Sequence, residues 1–273
     1  MFEVTIDETN NILHKIAQHV GTDLSGLALT SLRLKISKFC KIHHITSPES
    51  LITRLHDEPG LMDLFLQGIS SGSPDMFRDP ELWTALRDKI LPEMMAVASH
   101  PMILIPDALS GEEIYSMAIL LKESGLDQRI RFTATCINDR LREQIEKGPL
   151  TKGRYKNCQE NYLIFNPHSS LDKYFLQRDG RYHPDPGMLE TIEIKEHAEA
   201  QAGLTEQANL ILYRNRTIYF TPGKSREVIS SMLDQSVEGC IFILGLKESA
   251  NFLGLTGRVH VISADLNIYS KAG

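Results

Sequence analysis

The sequence predicts an α/β protein: a small all-helical N-terminal domain, then a mostly parallel sheet with a small β insertion and an antiparallel hairpin at one edge. Three observations predict this. Apolar residues recur at helical spacing from about Asn10 to Met95. From Met102 onward, short apolar runs of strand length alternate with helical segments. The last two such runs are separated only by a turn. Alternating strands and helices give a parallel sheet covered on both faces, and two strands joined by a turn must pair antiparallel. The change of period places the domains at residues 1–99 and 100–273.

Each element has its own signal. Leu13, Ile16, Ala17 and Val20 mark the first helix, and Gly21 stops it. Leu32, Ile36 and Phe39 repeat the spacing. Ser47-Pro48-Glu49-Ser50 is a helix start with a hydroxyl cap, a proline in the first turn and a carboxylate. Asp79-Pro80-Glu81 opens a helix carrying Trp83, Leu86 and Ile90. Met102-Ile103-Leu104-Ile105 suits a strand buried on both faces. Residues 111–124 form a helix with Ile114, Met117, Ala118 and Leu121 on one side, ended by Gly125. A strand over 130–135 and a helix over 139–147 follow. Residues 174–194, with Gly180, Pro184, Pro186 and Gly187, read as the β insertion. Two more buried strands, 210–213 and 240–244, flank a helix over 227–233, and the runs 259–262 and 266–269 form the edge pair.

Composition narrows the function. Of 273 residues, 42% are apolar and 23% charged, as in ordinary globular proteins. A net charge of −6 argues against nucleic acid as the partner. No apolar run approaches the ~20 residues that span a bilayer, so no membrane insertion is expected. The acidic start, Met1-Phe2-Glu3-Val4-Thr5-Ile6-Asp7-Glu8, lacks the regions of a signal peptide, which predicts a cytoplasmic protein. Cys40, Cys136, Cys158 and Cys240 share no short spacing, so neither a disulfide framework nor a metal site is expected. Cys40 with His43 and His44 has no second ligand pair nearby for zinc. Gly223-Lys224-Ser225 ends like a phosphate loop, but Ile218 stands where the first glycine is required.

Several motifs in one order resemble a known family. Leu109-Ser110-Gly111-Glu112-Glu113-Ile114-Tyr115-Ser116-Met117-Ala118 is similar to S-T-G-E-E-P-Y-S-(I/L)-A of the CheR chemotaxis methyltransferases. Gly21-Thr22-Asp23-Leu24-Ser25, Met76-Phe77-Arg78-Asp79-Pro80, Arg214-Asn215-Arg216-Thr217-Ile218-Tyr219-Phe220 and, with a slip of one residue, Gly239-Cys240-Ile241-Phe242-Ile243-Leu244-Gly245-Leu246-Lys247-Glu248-Ser249 resemble further family motifs. The resemblance implies a Rossmann-like, S-adenosylmethionine (SAM)-methyltransferase-like sheet and methyl transfer to glutamates of chemoreceptors. It implies Arg78 and Tyr219 at catalytic positions and Glu112, Arg214 and Asn215 at cofactor positions. The basic segment with Arg33, Lys35, Lys38 and Lys41 resembles the helix that the family presents to receptor helices.

The departures gather where SAM would sit. Pro106 removes a backbone amide from the turn after the first strand, and Asp107 and Leu109 add bulk. The family's A-(T/S)-D-I-D becomes Ala134-Thr135-Cys136-Ile137-Asn138, which lacks both carboxylates suited to ribose hydroxyls. Ile194-Lys195-Glu196 stands for V-N-L beside the adenine. The expectation is therefore a degraded SAM site with no cofactor, and a non-catalytic module that binds a protein, such as a chemoreceptor-like helical bundle, in chemotaxis, signalling or motility. The alternative is an active, divergent SAM-dependent protein-glutamate O-methyltransferase acting on chemoreceptors.

Overall fold

The computed structural model describes residues 3–20, 29–70, 75–136, 138–196, 205–217, 220–251 and 253–273. The 21–25 motif, Ile137, Ile218 and Tyr219 lie outside the described residues. Helices α1 (Ile6–Val20), α2 (Leu29–Ile42), α3 (Pro48–Asp57) and α4 (Pro59–Ser70) pack around Ile12, Leu32, Ile36, Leu51, Leu55 and Phe65. Helix α3 starts as its sequence requires: the Ser47 hydroxyl accepts the Ser50 N–H at 3.1 Å, and Pro48 occupies the first turn.

The next helical run is α5 (Pro80–Ala85), a π turn over Leu86–Ile90, and α6 (Leu91–Val97). Pro92 explains the widened turn, because it has no N–H and its ring crowds the turn before it. Asp79 does not cap this helix. It has φ 56°, makes no cap hydrogen bond, and sends its carboxylate elsewhere. Trp83, Leu86, Ile90, Leu91 and Met94 join the core that also holds Ile103, Ile105, Met117 and Phe132. The two cores thus part between Ile69 and Met76, well before the division at residue 99 expected from periodicity. Helical spacing identifies an apolar face but not which core that face enters.

The chain continues through β1 (Met102–Ile105), α7 (Glu112–Glu123), β2 (Arg131–Cys136), α8 (Asp139–Lys147), β3 (Leu150–Thr151), α9 (Lys152–Phe165), β4 (Phe175–Arg178), β5 (Arg181–Pro184), β6 (Ile192–Glu196), β7 (Leu210–Tyr213), α10 (Pro222–Gln235), β8 (Ile241–Leu244), β9 (Val259–Ser263) and β10 (Ile268–Lys271). Among the described residues, seven strands form one sheet in the order β6-β2-β1-β7-β8-β10-β9. All pairs are parallel except those of β10, which runs against β8 and β9. This is the expected mixed α/β, SAM-methyltransferase-like sheet.

Alternation along β1 builds two cores. Ile103 and Ile105 face one side with Leu210 and Leu212, while Met102 and Leu104 face the other with Ile211, Ile229 and Leu233. Each such fully buried side chain contributes roughly 1.5–3 kcal/mol. The chain winds outward from β1 to β2 and β6, then returns to the opposite side of β1 with β7. The strand order reverses between β1 and β7, so loops leaving their carboxyl ends diverge and open a crevice.

The β insertion differs from its expected extent of 174–194. Strands β4 and β5 form a hairpin over Asp179 (φ 50°) and Gly180 (φ 71°), an Asp-Gly turn suited to strand twist, and β3 adds a third strand from upstream. Ile192–Glu196 belongs instead to the main sheet, paired parallel with β2 from Phe132↔Ile192 to Cys136↔Glu196. Alternation marks a strand without naming its sheet. Helix α9 was not expected from the sequence; its buried stripe is Tyr155, Cys158, Tyr162 and Phe165, and Tyr155 stacks on Tyr182 of the hairpin at 3.7 Å. Among the described residues no helix is long and apolar enough to cross a membrane.

The shared core makes a truncation prediction. A fragment beginning at residue 75 should unfold cooperatively in urea. One beginning at residue 100 exposes the surface that Trp83, Leu86 and Ile90 cover, and should aggregate or lack near-ultraviolet circular dichroism.

Candidate functional site

The crevice starts at the turn after β1. Pro106 offers no N–H. Asp107 adopts the left-handed region at φ 52°, and its N–H donates to the Thr135 Oγ1 at 2.8 Å. The Ala108 N–H donates to the Thr135 carbonyl at 2.6 Å. Strand β2 therefore takes both amides that follow the proline. Leu109 packs against the core of the sheet. At Gly111 a Cβ would stand 2.2 Å from Cζ of Tyr115, so only glycine fits beneath that buried ring.

The end of β2 carries no carboxylate. Cys136 is fully buried, its thiol directed at the carbonyls of Asn138 and Lys195, both at 3.5 Å. Burial pushes that thiol up to about 11, so it stays protonated. The Asn138 side chain accepts the Leu141 N–H at 2.9 Å as the cap of α8.

Two ion-pair systems sit at the N-terminus of α7. Glu112, 2% exposed, pairs with Arg154 of α9. Its neighbour Glu113 accepts from Arg214 Nη1 at 3.2 Å, and Arg214 also pairs with Asp79. Burial pushes both Glu112 and Glu113 up, against the opposing pull of Arg154 and of Arg214, respectively. The Arg78 carbonyl receives Arg214 Nη1 at 3.5 Å and the Trp83 indole N–H at 3.0 Å.

The segment after β7 is clasped by a single carboxylate. Glu248, 1% exposed, accepts the N–H groups of Asn215 (2.6 Å), Thr217 (2.7 Å) and Gly245 (2.7 Å), with the Thr217 hydroxyl at 2.7 Å. Asn215 takes φ 56°, a conformation asparagine tolerates. Beyond it, Arg216 crosses to donate from Nη1 to the Asp107 carbonyl, with its guanidinium 5.7 Å from the Tyr213 ring centroid.

The sequence model of the CheR methyltransferase SAM-binding domain matches residues 73–266. The chain belongs to the CheR methyltransferase family. It is 27% identical over 265 residues, 97% of both chains, to a protein of Pseudomonas putida named putative methyltransferase Cher3. It is also 27% identical over 204 residues to chemotaxis protein methyltransferase 1 of Vibrio cholerae, covering 71% of this chain and 70% of that one. A chemotaxis protein methyltransferase of Listeria innocua shares 24% identity over 238 residues, 85% of this chain and 86% of its own.

The CheR-type residues Glu112, Arg214 and Asn215 come together around the carboxyl ends of β1 and β7, with the Arg78 backbone beside them. Glu112 and Arg214 pair with Arg154, Glu113 and Asp79, and the Asn215 N–H is held by Glu248, while Glu112 Oε2 and Arg214 Nε have no hydrogen-bond partner among the described residues. The basic helix α2 divides: Lys38 and Lys41 are exposed and Arg33 partly so, whereas Lys35 is half-buried and donates to the Ile69 carbonyl at 2.8 Å. Burial lowers Lys35 to about 8. Lys35 thus ties α2 to the end of α4 and does not lie on an open face. Sequence reasoning missed Asp79, Glu113, Arg154 and Glu248 as site groups. Glu113 and Glu248 stand in motifs that were read for family identity, while Asp79 was read only as part of a helix start.

Two predictions follow from this geometry. Lys35→Glu sets a carboxylate against the Ile69 carbonyl and should cost about 1–3 kcal/mol in urea unfolding, whereas Lys38→Glu and Lys41→Glu should stay within about 0.5 kcal/mol. The carboxyl of Glu112 is raised above its ordinary 4.5 in the folded state, so its stabilisation is present below that value and lost as pH rises through the folded pKa. Glu112→Gln should therefore flatten the decline in unfolding midpoint above about pH 4.5, measured across a pH series.

Proposed function

We propose that this CheR-family chain is a non-catalytic, protein-binding module of chemotaxis, signalling or motility, acting in the cytoplasm, whose crevice no longer holds SAM. One observation carries the reading: the turn after β1 has no amide at Pro106, and those of Asp107 and Ala108 are already bonded to Thr135. The family's fold implies SAM there, and these residues fit it poorly. The methionine portion of the cofactor needs free backbone donors at this turn, and its ribose needs a carboxylate at the end of β2. Cys136 and Asn138 stand there instead, both turned to the protein's own backbone. Losing each such polar partner costs roughly 1–3 kcal/mol, enough together to move a micromolar ligand toward millimolar.

A partner is suggested by what persists. Lys38 and Lys41 lie exposed on α2 beside exposed Leu34 and Ile42, a basic and apolar face that suits an acidic helical bundle of the chemoreceptor kind. The relatives named chemotaxis protein methyltransferases are consistent with that class of partner.

The second reading is an active protein-glutamate O-methyltransferase. It is favoured by Glu196, which pairs in register with Cys136 and so sets a carboxylate one strand away from the missing one. A melting experiment separates the two. SAM or its demethylated product at a hundredfold excess over a dissociation constant would add about 2.7 kcal/mol of stability. We expect no shift at 100 μM of either; a clear rise overturns the lost-cofactor reading and favours the enzyme. Lys38→Glu with Lys41→Glu should abolish binding to a chemoreceptor cytoplasmic bundle at low salt without lowering the melting temperature, since exposed charges act over about 8 Å at physiological ionic strength. Undiminished binding by that variant would remove α2 from the interface.

A further inference from the structure

The geometry points to Arg216 as the residue that decides which ligands the crevice admits: its guanidinium lies across the mouth between β1 and β7 and excludes a cationic ligand such as SAM. This rests on the reading that the crevice does not hold SAM, and goes further by naming the group responsible for selecting against its charge.

Strands β1 and β7 are parallel neighbours, and the strand order reverses between them. A ligand entering such a sheet does so outside those two carboxyl ends. Arg216 leaves the end of β7 and donates to the carbonyl of Asp107, which follows β1, so its side chain spans that place. Both ends of the bridge are held. The Asp107 N–H is fixed on Thr135, and the chain on either side of Arg216 is clasped by Glu248 through the N–H groups of Asn215 and Thr217. The guanidinium also faces the Tyr213 ring.

The charge balance favours an anion over a cation. Three nearby carboxylates are committed, Glu113 and Asp79 to Arg214 and Glu248 to four donors, while that of Asp107 acts with Arg216 on the Tyr213 ring and offsets part of its charge. Arg216 itself retains a buried Nε without a hydrogen-bond partner, a donor that an incoming acceptor would satisfy. SAM and its demethylated product share a carboxylate and an ammonium, which nearly cancel, and SAM alone adds a sulfonium that gives it a net positive charge. Like charges a few ångströms apart in such a partly buried setting repel by more than a tenfold step in affinity.

Calorimetry with SAM and with its demethylated product, which lacks the sulfonium charge, tests this on the whole chain. In the wild type both should bind no better than millimolar, SAM the weaker. Arg216→Met should improve SAM at least about tenfold and improve it more than the demethylated product, while Arg216→Lys should behave as wild type. Melting temperatures check folding, and Arg216→Gln serves as the neutral variant if the methionine protein is unfolded. Low micromolar SAM binding by the wild type overturns both this inference and the lost-site reading. Weak wild-type binding with no gain in the neutral variant overturns this inference alone. An equal gain for both ligands also overturns it, because exclusion would then follow bulk and not charge.

Discussion

Arg214 is the buried cation around which three separate segments are assembled. Its side chain is 1% exposed, yet it carries a full charge, and such a charge is tolerated only where paired and hydrogen-bonded. The pairing draws Asp79 from the start of α5, Glu113 from the first turn of α7, and the Arg78 carbonyl to the end of β7. Removing one partner of a buried pair typically costs about 3–5 kcal/mol. The position of α5 on the sheet, the backbone of Asp79 in the left-handed region and the aim of α7 all answer to this one guanidinium.

The same constraint shapes the crevice. With Glu113 committed to Arg214 and Glu112 to Arg154, the first turn of α7 presents its carboxylates inward to the protein's own cations. Glu248 completes the enclosure from the other side by gathering four donors from the 215–217 segment and Gly245. Close approach there is possible only because residue 245 has no Cβ, which would lie 2.6 Å from both Asn215 Oδ1 and Glu248 Oε2. Residues that mark the family by sequence are here parts of an internally paired polar network, although Glu112 Oε2 and the Nε atoms of Arg154, Arg214 and Arg216 have no hydrogen-bond partner among the described residues. A ligand must displace internal bonds to use the groups that are paired.

Much of the fold was legible in the chain. The Ser47 cap, the Gly125 stop and the four apolar residues of β1 rest on local stereochemistry and are found where the chain places them, and the terminal strand pair is present with its second strand two residues later than expected, at Ile268–Lys271. Two assignments were not legible. Alternation over 189–194 identified a strand, but its pairing with β2 and not with the hairpin depends on residues distant in sequence. Helix α9 was missed because its buried residues are largely Tyr155, Cys158 and Tyr162, side chains whose polar atoms obscure the apolar stripe.

The site divides along the same line. The sequence by itself determined the family, the missing amide at Pro106, and the absence of carboxylates at Cys136 and Asn138, because residue identity alone settles which donors and acceptors exist. Only the tertiary structure decided how those that remain are used. It engaged the amides of Asp107 and Ala108 with Thr135, turned Lys35 from a surface charge into a tie on Ile69, and carried Arg216 across to the β1 turn. Each of these contacts joins residues far apart in the chain. Their partners are selected by the packing of whole elements, which no local pattern of residues encodes.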